Sequence, residues 1–280
     1  MLKKIVTMFL LCVLSIGTYT KEYYKIAAGS PAIAEILYEL GLKDRLIAVD
    51  KNTSVKELND VPKISFYRMN IESIYSLKAD LLIFSSFNKA DRDDFAEFLT
   101  GKGVDVIFEP EIRSIDDIYK TIRTLGEKTG REERAEEAIA KMQSDIEEIT
   151  RVIKNIEVRK KVYFEVAPFP NMYTFGGDVF MNDVLEKAGT ENIFKDSKGW
   201  FIPNTEVVAA KRPDLIFTST YQLEDPVKEI ISREGWGMVK AVKNKEVYRV
   251  SANSVKPSIK VVDVIRDIAH TSYPELYGDK

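Results

Sequence analysis

The segment NIESIYSLKADLLIFSS (70–86) returns later in the chain as NTEVVAAKRPDLIFTST (204–220). Each copy has Asn, then Glu two residues on, then Asp-Leu ten and eleven residues after the Asn, then an apolar run closed by hydroxyl residues. A second echo precedes each copy: EILYELG (35–41) and DVLEKAG (183–189). A helix-then-strand unit written once per half predicts two lobes of one design, because a solenoid needs many stacked copies.

The rest of the chain alternates in the same way. KIAAG (25–29) reads as a short strand, and SPAIAEILYELG as a helix with Ser30 as cap, Pro31 at its first position and Gly41 as its stop. RLIAVD, ADLLIFSS, VDVIFEP, KKVYFEVAP, PDLIFTST and EVYRVS read as further strands, with helical patterns between most of them. The alternation predicts an α/β fold with parallel-rich sheets covered on both faces. The pattern changes at 131–156. Ala135, Ile139, Met142, Ile146, Ile149, Ile153 and Ile156 recur every three or four residues among charged side chains. That spacing predicts one amphipathic helix, roughly 40 Å long at 1.5 Å per residue, lying along other parts of the same chain. The expected organisation is a signal at 1–20, an N-terminal lobe at 21–113, a linker region with the long helix at 114–157, and a C-terminal lobe at 158–280.

The first twenty residues stand apart. Lys3 and Lys4 precede an apolar run from Ile5 to Ile16, followed by small and polar residues. About a dozen apolar residues are too few to span a bilayer, so the stretch reads as a secretory signal removed on export. Cys12 is the one cysteine and lies inside it; Leu11 stands where a lipid-attachment site needs a small residue. The mature chain then has no thiol for a disulfide, a metal or catalysis. Its formal charge changes from −3 to −5 with the loss of two lysines. Acids and bases are interspersed, with no basic stripe, so nucleic acid is not the partner. An exported monomer is expected, in a periplasm or, alternatively, anchored on the cell surface.

The repeated segment has a local explanation. Asn70 and Asn204 suit helix N-caps, and Glu72 and Glu206 then fall in first turns, where a carboxylate favours the positive end of the helix dipole. Ser85, Ser86, Ser219 and Thr220 fall at strand carboxyl ends, the edge of an open α/β sheet at which ligands bind. Two lobes would set two such edges across a cleft.

With GSPAIAEILYELG, VPKI, NIESIYSLKADLLI, NTEVVAAKRPDLIF and the ending KPSIKVVDVIRDIAHTSYPELY, the chain resembles the helical-backbone class of periplasmic binding proteins. These serve ABC importers of ferric siderophores, haem and vitamin B12. The resemblance covers almost all of the mature chain. It implies two α/β lobes joined by one long helix, a ligand cleft between them, and an acid on each lobe that docks on arginines of a permease dimer. The matching acids are Glu72 and Glu206. Two departures stand out: VPKISFYRMN lacks the glycine common after VP, and KAD replaces the usual Pro-Asp.

The loops after the strands carry the candidate ligand residues: Ser30, Tyr67, Arg68 and Phe87 in the first lobe, and Tyr173, Trp200 and Tyr221 in the second. Phe66 and Phe169 belong to the same loops. An aromatic lining suits a large, partly aromatic or macrocyclic ligand. Arg68 suits an anionic chelate or a carboxylate. His270 is the one histidine and falls in the last helix, so a bare metal ion is not the expected cargo and no metal site is expected. No P-loop, G-x-S-x-G elbow or His-based triad is present, and no catalytic residue or cofactor is expected. The expected ligand is an iron complex of the ferric-siderophore type, with a corrinoid or haem as alternatives. A secreted hydrolase using two carboxylates is the remote one.

Overall fold

The structure is a computed structural model that describes residues 21–66, 70–85, 93–251 and 255–277. The signal segment lies outside these residues. The first half runs β1 (Ile26–Ala28), α1 (Pro31–Glu39), β2 (Leu46–Asp50), β3 (Lys63–Ile64), α2 (Ile71–Ser76), β4 (Leu81–Phe84), α3 (Asp93–Gly101) and β5 (Asp105–Phe108). Its strands form one parallel sheet in the order β3-β2-β1-β4-β5. Next come α4 (Ile115–Thr129) and α5 (Glu132–Ile153). The second half runs β6 (Lys161–Glu165), β7 (Thr174–Phe175), α6 (Phe180–Lys187), β8 (Glu191–Asn192), β9 (Trp200–Phe201), α7 (Thr205–Lys211), β10 (Leu215–Thr218), α8 (Pro226–Ser232), α9 (Lys240–Lys243), β11 (Val247–Arg249), α10 (Val261–Ser272) and α11 (Pro274–Tyr277). Its main sheet is parallel, in the order β11-β10-β6-β8, and β7 pairs antiparallel with β9 beside it. The two-lobed parallel α/β fold is therefore as expected.

The central strands β1, β4, β6 and β10 are buried on both faces, which is why they read as continuous apolar runs. Side chains alternate between two environments. Leu81 and Ile83 of β4, Val162 and Phe164 of β6, and Leu215 and Phe217 of β10 all enter one apolar cluster. Leu82 and Phe84 enter a cluster confined to the first half, and Tyr163 and Ile216 one confined to the second. The shared cluster takes in the α5 stripe: Ala135, Ile139, Met142, Ile146 and Ile149. The long helix thus closes an intramolecular core, and each buried Ile or Leu contributes about 1.5–3 kcal/mol.

The linker differs from expectation in two ways. The long helix ends at Ile153, not Ile156, and spans about 33 Å over its 22 residues. A separate helix, α4, precedes it and runs antiparallel to it. Ser114 and Asp117 form a reciprocal capping box at its start, and Gly130, at φ +66°, ends it. The closeness of the hairpin shows at Gly126, where a methyl group would come within 2.5 Å of Ala135 Cβ. Arg123 and Glu136 bridge it from outside at 2.6 Å.

Candidate functional site

A hydrogen bond joins segments that follow strands of the two lobes. Lys256, in the segment after β11, donates to the backbone oxygen of Asn52, just past the end of β2, at 3.3 Å. Burial lowers the pKa of Lys256, while the carboxylates of Glu35 and Asp50 pull it upward. This bond brings the segment after β11 in the second lobe against the end of β2 in the first.

The second lobe carries an exposed aromatic pair. Tyr173 and Trp200 stack with ring centroids 6.1 Å apart and an interplanar angle of 6°. They remain 37% and 36% exposed. The β7–β9 pair sets their geometry: Phe175 lies opposite Trp200 in the register and meets its ring edge-on. Trp200, expected in a loop, thus stands in a short strand that fixes it. Its close partner is the FGGD turn, where Gly176 and Gly177 donate to the carbonyls of Gly199 and Ser197. Tyr221 and Phe169, 70% and 55% exposed, add to the aromatic surface.

The N-terminal side is less open than the sequence suggests. Phe66 is fully buried and packs edge-on against Phe84, so it is a core residue and not part of the lining. Ser30 caps α1 by accepting from Ile33 N at 3.2 Å. Tyr67, Arg68 and Phe87 lie outside the described residues. Glu109 follows β5 directly, and its N–H extends the ladder to Phe84 O at 2.8 Å. It is 6% exposed, and its Oε1 is buried without a hydrogen-bond partner. Burial raises its pKa to about 7.

A buried ionic network beneath the aromatic wall escaped the sequence reading. Glu165, the last residue of β6, receives Arg233 through Nη1 at 3.0 Å and Nη2 at 3.2 Å. Arg233 also donates from Nε and Nη2 to Glu229 at 3.0 and 2.5 Å, and from Nη1 to Met172 Sδ. All five N–H donors of the guanidinium are thereby used. Trp236 and Phe169 lie 4.2 and 5.9 Å from its centre. Burial opposes the charge on Arg233, but the bonds from Glu165 and Glu229 outweigh it and raise its pKa. For Glu165, burial outweighs Arg233 and the pKa rises. The i,i+4 spacing of Glu229 and Arg233 was readable in the sequence; their meeting with Glu165 was not.

The two repeated glutamates are exposed in first turns, Glu72 on α2 and Glu206 on α7. Asn70 accepts from Ser73 N at 2.8 Å and Asn204 from Glu206 N at 2.7 Å, so both asparagines cap as expected. His270 stacks on Tyr277 at 3.9 Å. Among the described residues no group of three or more His, Cys, Asp or Glu could hold a metal ion. A cavity of about 370 Å3, lined by Thr150, Lys154, Arg159 and Lys187 among others, lies behind α5 and α6, away from the strand ends.

The sequence matches the family described as periplasmic binding protein over residues 26–253. The chain belongs to that family. It is 32% identical over 268 residues to the uncharacterized ABC transporter substrate-binding lipoprotein YvrC of Bacillus subtilis, covering 94% of this chain and 84% of the relative. It is 28% identical over 204 residues to the vitamin B12-binding protein of Yersinia pestis, covering 71% and 70%. Among solved structures, a possible iron-binding (periplasmic solute-binding) protein of Staphylococcus epidermidis superposes with a TM-score of 0.79 at 27% identity, covering 90% of this chain and 100% of that one. Among the described residues, no helix of this family member is long and apolar enough to cross a membrane.

Proposed function

We propose that the protein is the exported substrate-binding component of an ABC importer. It captures an iron complex of the ferric-siderophore type between its lobes and delivers it to a membrane permease dimer through Glu72 and Glu206. Residues 21–113 and 158–280 act as the lobes, with 114–157 as the spine. The observation that carries the reading is the stacked, exposed Tyr173–Trp200 pair, with Tyr173 bridged to Ala167 just past the carboxyl end of β6, in a chain from this family. A rigid aromatic platform binds a large flat or macrocyclic ligand with little loss of side-chain entropy.

A corrinoid is the second reading, and a specific observation favours it. Arg233, beside the carboxyl end of β6, is consumed by Glu165, Glu229 and Met172 and has no donor left for an anionic chelate. The B12-binding relatives point the same way. Haem is the third member of this ligand class. For localisation we favour a periplasm; the lipoprotein relative supports surface anchoring as the alternative.

Native mass spectrometry of protein purified from its source tests the reading, with a ferric chelate, corrinoid or haem mass as the expected result. Tryptophan fluorescence supplies a second test. Trp236 is buried and Trp200 exposed, so ligand quenching should report Trp200 and vanish in Trp200→Phe. Trp200→Ala should weaken binding by about 1–3 kcal/mol, the usual effect of removing an aromatic anchor. The absence of any such mass, with no quenching by any of the three ligand classes, overturns the proposal.

A further inference from the structure

A charged side chain crosses between the lobes. Lys256, half-buried in the segment that leads into α10, donates to Asn52 O at 3.3 Å. A well-bonded turn presents that oxygen. Asn52 N donates to Asp50 Oδ1 at 2.9 Å, Thr53 N to Asp50 O at 2.9 Å, and Lys63 Nζ to Thr53 O at 2.9 Å. The charges that act on Lys256 divide by lobe. Glu35 of α1 and Asp50 at the end of β2 attract it from the first lobe, and Lys260 of its own segment repels it. Glu35 is the unusual member. It is 2% exposed, and neither of its carboxylate oxygens has a hydrogen-bond partner; among the described residues no other buried side chain has two such atoms. A buried hydroxyl tolerates that state, whereas a buried carboxylate needs a counter-charge. Three cations flanking β2 are committed elsewhere: Lys43 to Asp60, Arg45 to Glu22, and Lys63 to Thr53 O and Asn59.

We propose that Lys256 is an interlobe latch: the first lobe, through Asn52 O and the carboxylates of Glu35 and Asp50, holds the ammonium of the second lobe and so sets how the two lobes sit against each other. This goes beyond the proposed function and does not rest on it. The attraction on Lys256 comes from the opposite lobe, so the contact is lost if the lobes shift apart. A compact charge on a long flexible stem suits the task, because it needs no fixed planar geometry to stay engaged. The pull reaches the body of the second lobe through a bonded turn. Ser258 N donates to Lys256 O at 2.9 Å and Val261 N to Ser258 O at 3.1 Å. Val261 opens α10, and with Ile265 it lies in the apolar core shared by both lobes. That core resists wide opening, so the latch governs the small displacements that packed elements permit, about 1–2 Å. Lys256 is thus a positioning residue, acting through the arrangement of the lobes.

The test measures an interlobe distance. Cys12, in the leader segment, is the one cysteine of the chain, so Glu57→Cys in the first lobe and Lys228→Cys on α8, both exposed, place two spin labels on the mature protein. Pulsed electron spin resonance should give a narrow distance distribution with Lys256 in place. Lys256→Met should broaden it by about 1–2 Å, and Lys256→Arg, which keeps the charge, should leave it narrow. Melting curves supply a second readout. Lys256→Met should lower Tm by about 5 °C in the wild-type background and by no more than about half that in Glu35→Gln, because without the carboxylate less counter-charge is needed. If Lys256→Met does not fold, Glu35→Gln takes its place and should broaden the same distribution. An unchanged distribution in the neutral variant, a broadening shared by Lys256→Arg, or an equal loss of Tm in both backgrounds overturns the inference. Each of these outcomes leaves the importer reading standing, since that reading is decided by the mass of the bound ligand.

Discussion

The side chain of Ile153, at the end of α5, lies against the backbone of Gly189, which follows α6 in the second lobe. A methyl group on Gly189 would come within 2.8 Å of Ile153 Cδ1 and 3.2 Å of its Cβ. The other end of α5 repeats the arrangement, since Arg134 covers Gly41, the residue that stops α1 in the first lobe. The two glycines are the equivalent residues of the EILYELG and DVLEKAG echo. The helix is thus pinned at both ends to matching points of the two lobes.

Gly189→Ala should destabilise the protein by about 2–3 kcal/mol, because φ there is +77° and the new methyl meets a branched, buried side chain. Gly41→Ala faces the same backbone strain at +74°, but its obstacle is the end of a flexible arginine, so its cost should be about 1 kcal/mol. Urea denaturation of both variants checks the ranking. Equal losses would show that the α5 contact contributes nothing.

Arg233 holds Glu165 and Glu229 together in a site where its own side chain is 5% exposed and that of Glu165 1%. Arg233→Met leaves buried carboxylates without a counter-charge and should cost about 3–5 kcal/mol near pH 8. The loss should shrink toward pH 5, where the carboxyls take up protons. A melting temperature that falls equally at both pH values would show the defect to be packing alone.

Glu109 makes stability pH-dependent in a direction opposite to the usual carboxylate. Its ordinary pKa is 4.5, and the folded value is about 7. Between these values the folded chain keeps a proton that the unfolded chain has lost, so stability falls as pH rises through this window. The loss is complete above about pH 7.5 and amounts to at most about 3 kcal/mol, at 1.36 kcal/mol per unit. In Glu109→Gln this component of the slope should vanish, measured as chemical-denaturation free energy at pH 5, 6, 7 and 8. An unchanged slope would place the titration on another residue.

Glu72 and Glu206 should act after capture. Changing both to Gln retains the asparagine caps and should alter stability by less than about 1 kcal/mol, since exposed first-turn charges contribute only tenths each. Ligand affinity should hold, whereas stimulation of transporter ATPase activity should fall sharply and further than in either single variant. Wild-type docking should weaken with added salt, as ion pairs near solvent do. A double variant that transports at the wild-type rate would leave helix capping as the whole role of these residues.

Permanent junctions also limit motion. The shared core that runs from Ile26 through Met142 to Phe217 cannot open without exposing apolar surface. Lobe closure on ligand should therefore reduce the radius of gyration by no more than about 1 Å in small-angle scattering, in contrast to hinges of flexible strands.

What the sequence determined by itself was local and periodic. Period-3.6 spacing marked the α5 stripe, apolar runs marked the parallel strands, and Ser30, Asn70 and Asn204 announced helix starts, because caps and amphipathic faces are written within a few residues of where they act. The α4 helix is equally legible in its Ser114-Asp117 box and Gly130. Only the tertiary structure decided the rest. Phe66 and Trp200 both stand in aromatic loops, yet one packs under Phe84 while the other is exposed on Tyr173, since strand pairing far along the chain orients each ring. Arg233 loses its availability to Glu165, a residue 68 positions away. Glu109 acquires its raised pKa from burial alone, and burial is a property of the assembled fold that no neighbouring residue in the sequence records.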